Sequence, residues 1–309
     1  MAEICREIQE RIEERVERPV ERWVEREERR CRRRRCKWWC ACCNKWFCWL
    51  VTIVVRVVVM TIVTIVKWVT RVVCEVISVV LDVIAFIVGL IFAIPIIGRF
   101  IRQIWDFVID LLWRFVSIPG LILDALGIRL RKFYRVCILI LDDGTGVTTE
   151  ASLTPAITAA QTIYLDQANV ELIVEDIKTI EIADIALDVS CDVGAWWEDL
   201  WTRGTVFEFE SNLNCLDGAG RRLIGYAAPV TVFVVRSVDG AAGCSLGPFS
   251  DYVTIEGPAG ICLAHELGHA CGLLHHGPIT NLMNGTCGGT QLDGWQVGFI
   301  RSSRHVTYI

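Results

Sequence analysis

Histidine and methionine are the scarce residues of this chain, five and three among 309. No histidine stands near the cysteines between Cys31 and Cys48. The Cys36, Cys40, Cys43 spacing is not that of a zinc finger either, which argues against metal binding there and leaves acylation or disulfides as the other readings of the cluster. Charge is nearly missing from Leu50 to Gly98, where the chain is almost wholly Val, Ile, Leu, Phe, Thr and Ala. That stretch is too long for a signal-peptide core, and the region before it is too long and too acidic for a signal n-region. With 53% hydrophobic residues, 22% charged and a mean hydropathy of +0.44, a disordered chain is excluded and an ordinary soluble protein is not expected. The folded half lacks basic surplus, which argues against nucleic-acid binding.

What is present falls into two unlike halves. Residues 1–136 carry 24 Lys+Arg and 15 Asp+Glu, a balance of +9, whereas residues 137–309 carry 7 and 21, a balance of −14. The net charge of −5 describes neither. Residues 2–30 mix Glu and Arg, with Ile4, Ile8, Ile12, Val16, Val20 and Val24 drawing a narrow apolar stripe along a helix. Glu7/Arg11 and Glu14/Arg18 stand one turn apart in the favourable order, and Pro19 interrupts the pattern. This reads as a solvated or coiled-coil-like helix, or as a docking segment. The basic run Arg32–Arg35, followed by Trp38, Trp39, Trp46 and Trp49 and then a long apolar stretch, reads as a membrane-interface anchor.

Two spans of membrane length, roughly 46–66 and 76–98, can be cut from the apolar stretch. At 100° per residue, Arg56, Lys67, Arg71, Glu75 and Asp82 share one narrow face. Arg99, Arg102, Asp106, Asp110 and Arg114 do the same after Pro95. A transmembrane hairpin, interfacial helices and a hydrophobic self-association domain all fit, and so does a single long helix, since no turn-forming residue separates 50 from 88. Ser117-Ile-Pro-Gly120 ends the pattern.

From Val136 the texture is that of an α/β domain. Val136–Leu141 reads as a buried strand before the turn Asp142-Asp143-Gly144. Thr154-Pro155 reads as a helix start running to Gln167, and Val170–Ile182, Thr205–Glu210, Val230–Val235 and Tyr252–Ile255 as strands.

Four of the five histidines fall between 265 and 276, in His265-Glu266-Leu267-Gly268-His269-Ala270-Cys271-Gly272-Leu273-Leu274-His275-His276. Histidines four apart on a helix point the same way and can share one Zn2+. Glu266, on a neighbouring face, reaches a water that the metal activates without binding the metal itself. Gly272 stands where a helix ends and positive φ is needed, and the reversal brings His275 back as third ligand. Three imidazoles leave a fourth position open, as in a catalytic site. Ordinary helix histidines would match five specified positions by chance with odds on the order of one in a hundred thousand.

The segment resembles the metzincin clan of zinc metallopeptidases, whose motif H-E-x-x-H-x-x-G-x-x-H is followed by a Met-turn. Met283, in Thr280-Asn281-Leu282-Met283-Asn284, matches that methionine, and Gly243-Cys244-Ser245-Leu246 looks like the family's substrate-binding edge strand. The resemblance extends loosely over 133–309 and covers nothing before 130. It implies an α+β fold, a metzincin-like catalytic domain with a mixed twisted sheet and an active-site helix, here preceded by an all-α hydrophobic region. It also implies peptide-bond hydrolysis with Zn2+ as cofactor, His265, His269 and His275 as ligands, Glu266 as general base and Met283 beneath the metal. No tyrosine follows the Met-turn closely, so that additional ligand of some family members has no counterpart, and His276 reads as a pocket or surface residue. No cysteine-switch propeptide is evident.

The domain layout is then a charged helix and basic Trp/Cys-rich segment at 1–45, hydrophobic membrane-associating helices at 46–130 and a peptidase domain at 131–309. Cys191, Cys215, Cys244, Cys262, Cys271 and Cys287, an even set with Cys137 at its entrance, suggest disulfides and an oxidising compartment. Cys262, one turn before His265, approaches the cleft. The whole reads as a zinc endopeptidase placed at a membrane through residues 31–116, its catalytic domain extracytoplasmic or secreted, acting on peptides or proteins, with self-association through the N-terminal helices. The alternatives are a membrane-active or toxin-like assembly carrying the peptidase as cargo or processing module, and an inactive zinc-binding module.

Overall fold

The apolar run that opens the second half becomes the middle of a sheet. In the computed structural model the described residues are 95–125 and 129–308, apart from 145–147, 183–186, 191–202, 217–224, 246–250, 258–259 and 261, with scattered helical positions between 18 and 72. They divide into two units: Met1–Ser78 with Ile118–Leu130 and Tyr308–Ile309, and Val79–Ser117 with Arg131–Thr307.

The second unit is a mixed α/β domain. Its elements begin with α1 (Pro95–Ala125), whose residues to Ser117 belong to this unit, then β1 (Lys132–Asp142), α2 (Glu150–Ala168) and β2 (Val170–Glu181). There follow β3 (Asp188–Ser190), α3 (Arg203–Asn214), β4 (Val230–Val235), β5 (Ser237–Asp239), β6 (Gly243–Cys244) and β7 (Tyr252–Glu256). The chain closes with α4 (Cys262–Ala270), α5 (Gly294–Ser302) and β8 (Val306–Thr307). The main sheet has the order β2-β1-β4-β7-β6, with β8 pairing β1. Its first four strands run parallel, while β6 is antiparallel to β7 and β8 to β1. β3 and β5 form a separate parallel pair.

Alternation along β1 builds two cores at once. Tyr134, Val136, Ile138 and Ile140 face the layer of α2, α4 and α5, whereas Cys137, Leu139 and Leu141 face Phe207, Phe233 and Tyr252. Both faces of β4 are covered in the same way, which is why Val230–Val235 is buried throughout and, but for Thr231, apolar rather than alternating.

Two elements differ from the sequence expectations. Residues 205–210 lie within helix α3, not a strand. Phe207 and Ser211, one turn apart, are buried, while Phe209 (62% exposed) and Leu213 (67%) face outward. The outward Phe209, alternating with Glu208 and Glu210 beside Phe207, produces the false period of two. Helix α2 starts at Glu150, not beside Thr154, because Thr149 and Ser152 form a reciprocal capping box; Pro155 sits in the second turn.

The membrane reading is overturned. Among the described residues no helix is long and apolar enough to cross a membrane. On α1 the expected seam carries the reason. Asp106 and Asp110 are buried in the folded domain, Asp106 against Arg304 at 3.3 Å. Arg114 pairs with Asp110 at 2.6 Å and donates to Cys271 O at 2.6 Å and Ser302 Oγ at 3.0 Å. Trp113, on the same side, packs on Tyr226. These charges serve internal docking, not a wet cavity in a bilayer. The membrane partner expected at 31–116, and with it the membrane-associated, extracytoplasmic location, is withdrawn. Residues 31–45 lie outside the described residues, as does most of both proposed spans. So do Leu246 and the pairs Glu7/Arg11 and Glu14/Arg18. The self-association reading falls largely on the same residues. Within the first unit, Arg29 lies 3.6 Å from Glu25, one helical turn away.

The cysteines also pair differently from an even set of six. Cys137 at the entrance is bonded to Cys215, and Cys244 is disulfide-bonded, whereas Cys262, Cys271 and Cys287 are free.

Candidate metal centre

Helix α4 is held to the sheet by its apolar side and by two phenols. Leu263, Ala264, Leu267 and Ala270 enter the core. Tyr134 Oη donates to Leu267 O and Tyr164 Oη to Ala264 O, both at 2.9 Å. The opposite side carries His265 and His269. The helix ends as its sequence requires: Gly272 has φ +86, its N–H bonds His269 O at 2.7 Å, and Leu273 N–H reaches back to Gly268 O at 3.1 Å. That pair of bonds is a Schellman closure, and it turns the chain so that His275 returns to the helix.

The three histidines converge. His265 Nε2 lies 3.0 Å from His269 Nε2 and 3.3 Å from His275 Nε2. Backbone carbonyls settle two of the tautomers. His265 Nδ1 donates to Leu282 O at 2.6 Å and His269 Nδ1 to Leu273 O at 2.7 Å, since a carbonyl only accepts. Their Nε2 lone pairs therefore face one another with no proton between. Burial pushes the ring of His265 below its usual range and that of His269 to about 4, which keeps them neutral. Converging lone pairs repel unless a cation lies among them, and a tetrahedral zinc spaces its ligand atoms by roughly 3.3–3.8 Å. The residues present fit a metal ion.

Glu266 is 3% exposed, and its Oε2 has no hydrogen-bond partner among the described residues. Burial, with a smaller contribution from Cys262, pushes its carboxyl up to about 8. Gly243 of β6 lies against it: a Cβ there would stand 2.8 Å from Glu266 Cγ and Oε1. Gly243, Cys244 and Ser245 border a cavity of about 550 Å3 that Glu266 and the three histidines also line. His276 stands outside it, half exposed, 3.5 Å from Asp293 and against Trp295.

Met283 is fully buried and pressed on α4, where a Cβ on Gly268 would meet its Sδ at 2.5 Å. Two residues that sequence reasoning passed over hold this turn. Asn281 Oδ1 accepts from Met283 N at 2.9 Å, and Asn281 exchanges amide hydrogen bonds with the buried Gln296 of α5 at 2.9 and 3.1 Å. The available signal was a glutamine on the side of α5 shared with Val297 and Ile300.

No protein-family model matches the chain, and no curated protein matches it. Among solved structures it is similar to the crystal structure of metalloproteinase-II from Bacteroides fragilis, at 16% identity and a TM-score of 0.36. That match covers 58% of this chain and 57% of the other, so the chain spans little more than half of that protein.

Proposed function

We propose that the second unit is a zinc-dependent endopeptidase of metzincin type. The observation that carries this is the convergence of three imidazole Nε2 atoms beside a buried carboxyl whose Oε2 has no partner among the described residues, in an open cleft. His265, His269 and His275 would hold the ion, which when bound polarises a peptide carbonyl and makes water a better nucleophile at neutral pH. Glu266 takes the proton of the attacking water and passes it to the leaving amine. Its carboxyl, buried beside the histidines and bordering the cleft, is placed for both transfers. The backbone carbonyls of Leu282 and Leu273 keep two imidazoles in the ligating tautomer. Met283 supports α4 from beneath. β6 is the last strand in the sheet order, and an extended peptide laid beside it passes Glu266, which orients the scissile bond.

The test uses the full chain. Purified protein should carry one zinc, cleave unfolded casein, lose both zinc and cleavage to a chelator, and regain both on adding zinc. A zinc-loaded chain that leaves casein, and a mixed peptide library, intact contradicts the proposal.

A further inference from the structure

Two buried side-chain amides, Asn281 and Gln296, do not line the cleft, and the chemistry above gives them no part. Backbone N–H groups settle which way each amide faces. Met283 N donates to Asn281 at 2.9 Å and Asp293 N to Gln296 at 2.8 Å; a backbone N–H only donates, so the atoms they meet are Asn281 Oδ1 and Gln296 Oε1. The remaining ends then match as a reciprocal pair. Asn281 Nδ2 donates to Gln296 Oε1 at 2.9 Å, and Gln296 Nε2 to Asn281 Oδ1 at 3.1 Å. Flipping either amide would set like groups face to face, so the pair has one arrangement. What it holds is a single peptide. The N–H of Met283 and the carbonyl of Leu282 belong to one peptide unit, which is planar. Asn281 Oδ1 holds its N–H edge, and its carbonyl edge accepts from His265 Nδ1 at 2.6 Å. Fixing one edge of the plane fixes the direction of the other.

We infer that Asn281 and Gln296 are positioning residues for the metal ligand His265. Gln296 orients Asn281, Asn281 sets the plane of the peptide between Leu282 and Met283, and that carbonyl holds the imidazole with Nε2 facing His269 and His275. The inference rests on the metal site proposed above, and its consequence lies in metal affinity. Without the Asn281 acceptor, the N–H of the fully buried Met283 has lost its partner, and the peptide turns to find another. The Leu282 carbonyl then leaves His265 Nδ1. The ring is free to rotate, or to carry its proton on Nε2, and either change opposes zinc binding. The same carbonyl draws on the Nδ1 proton and so strengthens Nε2 as a donor, which is lost as well.

The experiment measures the zinc affinity of the full chain by competition with a chromophoric chelator, alongside urea unfolding of the zinc-free proteins. Asn281→Leu, close in size and without an acceptor, should bind zinc roughly 10–100-fold more weakly. Asn281→Asp keeps an acceptor facing Met283 N and should restore most of that affinity, a rescue that a merely structural role does not produce. Gln296→Leu should weaken binding too. Because the two residues act in series, the double variant should match Asn281→Leu to within about twofold. If Asn281→Leu does not fold, the other two single variants decide: weakened binding in Gln296→Leu with near-native binding in Asn281→Asp supports the inference. Unchanged affinity in Asn281→Leu or Gln296→Leu, or Asn281→Asp as weak as Asn281→Leu, overturns the positioning role, and losses that simply add overturn the series. A wild type that binds no zinc overturns the metal site itself. A zinc-binding wild type that leaves casein intact counts against the peptidase reading alone.

Discussion

Glu266 offers a quantitative test of the site that does not require catalysis. Its carboxyl is 3% exposed, and burial raises it from an ordinary 4.5 to about 8. For such a group the unfolded chain gives up its proton first. Its stabilising contribution is whole below pH 4.5 and drains away as pH rises toward 8. Each pH unit across that window is worth about 1.4 kcal/mol, so the metal-free chain should lose on the order of 3 kcal/mol between pH 5 and 7 through this residue. Glu266→Gln has nearly the same shape and no proton to lose. His265 and His269 pull the other way: burial depresses both, so their stability is present above 6.5 and lost as pH falls, in the case of His269 toward about 4. Both proteins share that trend, so it cancels in the difference. Urea unfolding of chelator-stripped wild type and variant, followed by tryptophan fluorescence from pH 4.5 to 8, should give curves that nearly coincide in acid and diverge by several kcal/mol in base, the variant being the more stable. Curves that stay parallel to within about 0.5 kcal/mol would refute the desolvation of this carboxyl.

Gly243→Ala puts a methyl 2.8 Å from Glu266 Oε1, so cleavage should fall by roughly 10²-fold with zinc content unchanged, as read by kcat/KM and metal analysis. Arg304 is buried between Asp106 and Asp251, and Arg304→Met should cost about 3–5 kcal/mol in denaturant unfolding by leaving both carboxylates unpaired. Zinc binding needs neutral imidazoles, and His269 stays neutral down to about 4 in the metal-free site; acid titration of the loaded protein, followed by zinc release to a dye, should therefore show retention at pH 6 and loss nearer pH 4. His269→Ala should leave the chain folded by circular dichroism and without bound zinc.

The strands were legible where packing and pattern agree. β4 is apolar on both faces because helices cover both, and Val230–Val235 could be read to the residue. The region 205–210 could not, because the outward Phe209 beside the inward Phe207 alternates with Glu208 and Glu210. The motif placed the histidines on one side of a helix with a glycine turn beyond, since fixed offsets on an α-helix translate directly into direction. Spacing says nothing about which carbonyl fixes a tautomer, so the parts played by Leu282, Leu273, Asn281 and Gln296 were invisible. α1 misled for a related reason. A helix with broad apolar cover and a charged seam reads alike whether the seam meets lipid-buried neighbours or, as with Asp106 and Arg114, the polar ends of its own domain.

The proposed proton transfer by Glu266 at a zinc ion held by His265, His269 and His275 is tested most directly by the rate of casein cleavage by the zinc-loaded full chain against its Glu266→Gln variant at equal zinc content. Cleavage by the wild type and a loss of roughly 10²–10⁴-fold in the variant are expected. Equal rates in the two proteins would contradict that role.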